Sequence, residues 1–104
     1  MAGVSRCRIT VLKRTFNQDL VDAYLENGQD LGPCERHHEG QEFVVENPYT
    51  LPEGLCPWAW TSMCHDILTL AVGGDMAGAK QRGTAISGCT DWFRPVIFKV
   101  ERIG

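Results

Sequence analysis

The sequence lacks the features of several large protein classes. It has no run of Lys and Arg, and its ten basic residues stand against thirteen acidic ones, for a formal charge of −3 at pH 7. Nucleic-acid binding relies on a clustered positive field that displaces counterions from phosphates, so we expect no nucleic-acid partner. The longest uncharged apolar stretch, residues 67–74, is far shorter than the roughly 20 residues that span a bilayer, so we expect no membrane insertion.

The N-terminal segment, MAGVSRCRITVLKR, has no apolar core of the kind found in a secretory signal peptide. Five cysteines are many for 104 residues, but the number is odd, so a disulfide scaffold would leave one thiol unpaired. We therefore expect reduced thiols and a cytoplasmic location, with a disulfide scaffold as the alternative.

Two common catalytic signatures are also missing. No serine lies in a Gly-x-Ser-x-Gly turn, which gives no support to serine-hydrolase chemistry. Gly73, Gly74 and Gly78 follow a predicted helix, whereas a phosphate-binding loop precedes one. The chemistry of this chain must therefore be sought in other residues.

The chain contains no repeat, low-complexity tract or long linker, and 43% of its residues are hydrophobic. We predict one domain over residues 1–104, an α+β fold of βαβαββ order with two helices packed on a small, mostly antiparallel sheet. The predicted strands are residues 8–13, 41–46, 84–89 and 96–102, and the predicted helices are residues 18–26 and 58–72.

The second helix carries the clearest pattern. Pro57 suits a first helical position, where its missing N–H costs nothing. At helical spacing Trp60 and Met63 share one broad apolar face, while Trp58 and His65 lie on the other. Trp60 is therefore predicted in the core, and Trp58 is predicted to face outward, which is typical of an interface or a pocket wall.

Three of the five cysteines lie in loops or at the ends of elements. Cys56 directly precedes the second helix, whose partial positive charge stabilises a thiolate, so it is the first candidate nucleophile and Cys89 the second. Cys34 lies in a loop beside a Gly-Pro pair. The alternative is that these cysteines act as small apolar residues, which is what we expect for Cys7 and Cys64 in the core.

The same loop cysteines are candidate ligands for a metal ion. Cys34, Cys56 and Cys89 supply sulfur, and His37 or His38 could complete the set. The spacing gives weak support, since no Cys-x-x-Cys pair is present. Both histidines stand among charged residues, and we interpret them as solvated surface.

The predicted hairpin turn, residues 89–95, combines a thiol, a carboxylate and a guanidinium. Arg94 could bind a carboxylate or phosphate, with Asp91 orienting it or acting as a base. The alternative is an Asp91–Arg94 pair that braces the turn. We expect any pocket to lie where this turn meets Cys34 and Cys56.

Five segments support a resemblance: GPCE, EGQEFVV, PEGLCPWAW, TLAVGGD and CTDWFRPVIFKVER. Together they resemble a family of small uncharacterised prokaryotic proteins in which Pro-Glu-Gly-x-Cys-x-Trp-Ala-Trp and Cys-Thr-Asp-x-x-Arg-Pro-Val-x-Phe segments recur. The resemblance spans residues 8–102 and implies one domain but no reaction. It gives weight to Cys34, Cys56, Trp58, Trp60, Cys89, Asp91, Arg94 and Pro95. The chain departs from the family at Trp92, where Gly is usual, and at Gly88, where a second Cys is common.

Three functions remain open from the sequence. The leading hypothesis is a binding module whose loop thiols and Arg94 take a small anionic or metal ligand. The alternatives are a small thiol-dependent enzyme or an enzyme's accessory subunit, with Cys56 or Cys89 as nucleophile, and a structural interaction domain that uses Trp58. We also expect a homo-oligomer, most simply a dimer, because so small a sheet exposes edge strands.

Overall fold

The computed structural model of the chain describes residues 3–104, apart from the side chain of Gln29, so residues 1 and 2 of the predicted domain lie outside it. The order of helices and strands is the predicted one, and the α+β class is confirmed. The elements are β1 (Cys7–Arg14), α1 (Gln18–Tyr24), a short 3-10 helix (Gly28–Asp30), β2 (Glu42–Val45), α2 (Pro57–Ala71), β3 (Thr84–Gly88) and β4 (Val96–Arg102).

The four strands form one sheet in the order β2-β1-β4-β3, and each neighbouring pair is antiparallel. β1 and β4 are central, and β2 and β3 are the edges. The register of β1 on β4 shifts between Val11 and Lys13, as in a β-bulge. The intervening Leu12 is 42% exposed, in contrast to the buried alternate residues that precede it.

Helix α1 is shorter than predicted. It ends at Tyr24, Leu25 is extended, and Asn27 adopts a left-handed conformation with φ of 55°. The prediction that the helix runs to residue 26 was therefore wrong at its C-terminal end. An Asn-Gly pair favours a left-handed backbone conformation at a helix end. Here α1 already ends at Tyr24, so two residues separate its end from Asn27.

Helix α2 covers one face of the sheet. Alternate residues of β1 and β4 meet the apolar stripe of the helix, which is the arrangement that the two periodicities predict. The buried residues of these three elements are Cys7, Ile9, Val11, Ala59, Met63, Ile67, Leu70, Ala71, Val96, Phe98 and Val100. Trp60 packs against this core but is only partly buried.

Two details of α2 bear on the predictions. Cys7 is buried, as expected, but Cys64 is only partly buried and donates to the carbonyl of Thr61 at 3.4 Å, so its assignment to the core was wrong. The apolar stripe is narrower than the sequence pattern indicates.

Among the described residues, no helix combines the length and the apolar character needed to cross a bilayer.

Arg102 at the end of β4 holds the C-terminal end of α2. Its Nη1 donates to the carbonyl of Leu70 at 3.0 Å and to that of Gly74 at 2.7 Å, and its Nη2 donates to Asp75 Oδ1 at 3.2 Å. Asp75 Oδ1 also accepts the N–H of Gly83 at 2.6 Å, and this bond contributes most to a lowered pKa of Asp75. A cation at a helix C-terminus stabilises the helix through its unpaired carbonyls.

We predict that Arg102→Met lowers the free energy of unfolding by about 2 kcal/mol, because charge-assisted bonds to helix carbonyls are lost. Arg82→Met is the matched control, since Arg82 pairs with the same Asp75 at 3.3 Å but its side chain is 92% exposed. Exposed pairs contribute little, so the control should not change stability measurably. Urea denaturation followed by circular dichroism measures both; equal losses in the two variants would contradict the assignment.

Candidate functional site

The structure brings the three loop cysteines into one neighbourhood. Cys34 follows the 3-10 helix, Cys56 is the N-cap of α2, and Cys89 directly follows β3. All three are partly buried and pack against the core. The thiol of Cys89 lies within electrostatic range of both others, because a charge on Cys56 or Cys34 raises its pKa. Three segments distant in sequence therefore pack against the same core, and two of their thiols act electrostatically on the third.

The thiol of Cys89 is held in its protonated form. Burial is the largest effect and raises the pKa of Cys89. The N–H of Asp91 donates to Sγ at 3.2 Å and lowers this pKa. The charges of Asp91, Cys56 and Cys34 raise it further. The net direction is upward. Since the thiolate is the reactive form, Cys89 is poorly suited to the nucleophilic role that the sequence suggested for it.

His37 is the largest correction to the sequence interpretation. It is not solvated surface, because its side chain is only 2% exposed. Its Nε2 accepts the backbone N–H of Cys56 at 3.1 Å, and its Nδ1 lies 3.0 Å from Gln41 Oε1. A backbone N–H can only donate, so Nδ1 carries the proton and donates to Gln41. The ring also packs edge-on against Phe43 and Phe98, at centroid distances of 5.3 and 5.9 Å.

This buried imidazole connects the Cys34 loop to the start of α2. The Cys56 side chain forms no capping bond, so His37 satisfies the backbone N–H of the N-cap from outside the helix. Burial lowers the pKa of His37, which keeps the ring neutral and able to accept that bond. The neighbouring His38 is exposed, as predicted. No local signal separates the two histidines, since the partners of His37 lie on other elements.

Arg14 at the end of β1 fastens the same loop from the other side. Its Nη1 donates to the carbonyl of Cys34 at 3.0 Å, and its Nε donates to Glu39 Oε1 at 3.1 Å. The backbone N–H of Glu39 itself, and then Arg14, lower the pKa of the Glu39 carboxyl. Sequence reasoning did not identify Arg14, because a basic residue at a strand end is ordinary.

The turn after Cys89 is braced by Asp91. Asp91 Oδ1 accepts the N–H groups of Phe93 at 3.1 Å and Arg94 at 3.4 Å, and its Oδ2 lies 3.5 Å from Arg94 Nε. This is the bracing role that was the alternative at the sequence level. The charge of Arg94 is thus already compensated, and the carboxylate of Asp91 is already engaged.

Trp58 ties this turn to the first turn of α2. It faces outward, as predicted, and is 53% exposed, but its Nε1 donates to Thr90 Oγ1 at 2.8 Å. The hydroxyl of Ser62 lies 3.0 Å from Thr90 Oγ1 and accepts the N–H of Thr90 at 3.3 Å. The three side chains hold Cys89 beside Cys56. Thr90 and Ser62 were missed because hydroxyl residues of this kind occur throughout the sequence.

The segment between β1 and α1 holds the turn from the opposite side. The carbonyl of Pro95 accepts bonds from the N–H of Thr15 at 2.9 Å and from its hydroxyl at 2.7 Å. Asn17 Nδ2 donates to the carbonyl of Trp92 at 2.6 Å, rather than capping α1. The turn that carries Cys89 is therefore fixed on two sides.

The predicted metal-ligand set is not formed in this conformation. Among residues 3–104, no three His, Cys, Asp or Glu side chains are placed so that they could hold a metal ion. Cys34, Cys56 and Cys89 are thus neighbours without being positioned as ligands. Both nitrogens of His37 are occupied, so its ring could not join them without breaking two hydrogen bonds. The described surface concavities, of about 170 to 550 Å³, are lined by other residues.

We predict that the folded protein loses stability as the pH falls from 7.5 to 5.5. The unfolded chain binds a proton at His37 near its ordinary pKa, and the folded chain, whose His37 pKa is lower, does so only at a lower pH. The limiting slope for one such proton is about 1.4 kcal/mol per pH unit. Urea denaturation at several pH values measures it. The carboxyl groups with lowered pKa values, Glu39, Asp75 and Glu101, titrate below this window.

His37→Gln should flatten the slope of the free energy of unfolding against pH, since an amide does not titrate. The same substitution should also lower stability at every pH. His38→Gln is the matched control and should keep the dependence of stability on pH, because His38 is exposed and its ring is hydrogen-bonded to no other residue that the structure describes. A slope that survives in His37→Gln would show that another group carries the proton.

Comparison with known proteins adds no assignment. No family model, no curated protein and no solved structure matches the chain. The resemblance to a family of small uncharacterised prokaryotic proteins therefore remains an expectation from the sequence.

Proposed function

We propose that the protein is a small cytoplasmic module that binds a soft metal cation through the thiols of Cys34, Cys56 and Cys89. One observation carries the proposal: three partly buried thiols, each from a different loop or helix start, pack against the same core, and Cys34 and Cys56 both lie within electrostatic range of Cys89. Thiolate sulfur selects soft and borderline ions such as Cu(I) and Zn(II). Reduced thiols are the ordinary state in the cytoplasm, which is consistent with this chemistry.

The charges around Cys89 favour a cation over the anionic ligand that the sequence also allowed. Asp91, Cys56 and Cys34 each disfavour negative charge on Cys89. Arg94, the one cation of the turn, is paired with Asp91. A bound anion would find no unpaired cation in the turn, whereas a metal ion would displace the thiol protons and compensate the charge of the resulting thiolates.

Binding requires the three side chains to turn toward a common point, since they are not placed as ligands here. The positions suit such a movement. Cys34 lies in a loop, Cys89 lies at a strand end, and the side chain of Cys56 forms no capping bond. The backbone around them is held by the bonds from His37, Arg14 and the Trp58–Thr90 pair described above, so the proposal assigns this movement to the side chains.

A metal titration of the reduced protein tests the proposal. We expect one Cd(II) per chain, with a sulfur-to-metal absorption band and loss of three thiols from reaction with a thiol reagent. Cys34→Ser, Cys56→Ser and Cys89→Ser should each weaken binding by more than about tenfold. Cys64→Ser is the matched control, because Cys64 is also partly buried but lies outside the cluster, and it should bind as the unmodified protein does. Absence of binding, or equal weakening by Cys64→Ser, would refute the proposal.

Alkylation rates separate metal binding from thiol catalysis. We predict that Cys89 reacts slowly with iodoacetamide at pH 7.5 and that its rate still rises with pH beyond about 9, where an ordinary cysteine levels off, because its pKa is raised and the thiolate is the nucleophile. Peptide mass spectrometry assigns the rate to each cysteine. A single fast thiol at Cys56, with metal binding unaffected by Cys56→Ser, would favour the thiol-dependent enzyme or accessory subunit instead.

A further inference from the structure

The free edge of β3 exposes backbone groups that no described residue pairs. β3 lies at the end of the sheet and pairs only with β4. The N–H of Arg102 donates to the carbonyl of Gly83, and the N–H of Cys89 donates to that of Val96. These two bonds show that the odd-numbered residues from 83 to 89 direct their N–H and C=O groups toward β4.

The alternate residues of β3 therefore point their backbone groups outward. Thr84, Ile86 and Gly88 each present an N–H and a C=O to the free edge. Ile86 is 64% exposed, on the face of the sheet opposite to α2. Ala85 and Ser87 face the helix, since Ala85 is buried in the core and the hydroxyl of Ser87 donates to Asp66 on α2.

The two edges of the sheet differ in how they are protected. Natural edge strands usually carry charges, proline or bulges that prevent another strand from pairing. β2 has Glu42 within it, and Glu46 and Pro48 follow it. Residues 84–90, TAISGCT, contain neither charge nor proline. A second strand would meet a charged residue within β2 and none within β3, although Arg82 lies two positions before β3.

A concave region lies beside the unprotected edge. It has a volume of about 550 Å³ and is lined by residues 76–81 and 84–86, including the apolar side chains of Met76 and Ala77. Within the described part of the chain, residues 76–82 form no backbone hydrogen bond with β3. The segment that precedes β3 therefore does not occupy the outward backbone groups of β3.

We propose that β3 pairs with β3 of a second copy of this chain, antiparallel and centred on Ile86. A two-fold axis at Ile86 sets Ile86 opposite Ile86 of the second copy and Thr84 opposite its Gly88, so every outward N–H meets a carbonyl. Charge supports a second copy as the occupant. The chain has a net charge of −3, yet this pairing brings two uncharged segments together, whereas pairing of two β2 edges would bring Glu42 residues together. The pairing joins two four-stranded sheets into one.

Sedimentation velocity over a concentration series, in a reducing buffer that prevents intermolecular disulfides, tests this proposal. We expect a concentration-dependent dimer. Within one chain, Ile86→Glu places the new carboxylate opposite Lys99, which preserves the fold. Across the two-fold axis, the same carboxylate lies opposite the identical carboxylate of the second copy, and the two repel each other. Ile86→Glu should raise the dimer dissociation constant by about tenfold or more.

Val44→Glu is the matched control, because Val44 lies on the other edge strand and its cross-strand partner is Arg8. It should leave the dimer intact. In hydrogen exchange, the amides of Thr84, Ile86 and Gly88 should gain protection as the dimer forms. A monomer at all concentrations, a dimer insensitive to Ile86→Glu, or a dimer without protection at these amides would each overturn the proposal. The proposal does not depend on metal binding, so the two can fail separately.

Discussion

The neighbourhood of the three thiols depends on one hydrogen bond, from the backbone N–H of Cys56 to Nε2 of His37. It joins the loop that carries Cys34 to the first residue of α2. It requires a neutral imidazole with its proton on Nδ1, and burial against Phe43 and Phe98 keeps the ring neutral. An apolar environment strengthens such a bond and makes its loss costly, because the freed groups would have no water partner.

The remaining supports of the site are also hydrogen bonds made by side chains. Arg14 holds the carbonyl of Cys34, and Trp58 with Thr90 holds the turn that carries Cys89. Neither of these hydrogen bonds involves a sulfur atom. The sulfur atoms are therefore positioned mainly by their backbone, although Cys89 Sγ also accepts the N–H of Asp91, while Asp91 and Arg94 serve the turn rather than a ligand.

Much of the fold could be predicted from the sequence. The order of elements followed from local periodicity, and β4 occupies the predicted residues 96–102. Errors arose where a local pattern competed with tertiary contacts. Helix α1 ends early at Tyr24, and Cys64, which lies within a helical apolar pattern, stays partly exposed because the sheet covers only a narrow stripe of α2.

The sequence by itself determined the α+β class and which cysteines lie outside regular elements, because alternation, helical spacing and turn residues act over a few positions. Only the tertiary structure decided that these cysteines pack against the same core, that His37 is buried while His38 is not, and that Arg94 is already paired. The physical reason is separation along the chain. His37 and Cys56 are 19 positions apart, and Trp58 and Thr90 are 32, so neither contact leaves a local pattern from which it could be predicted.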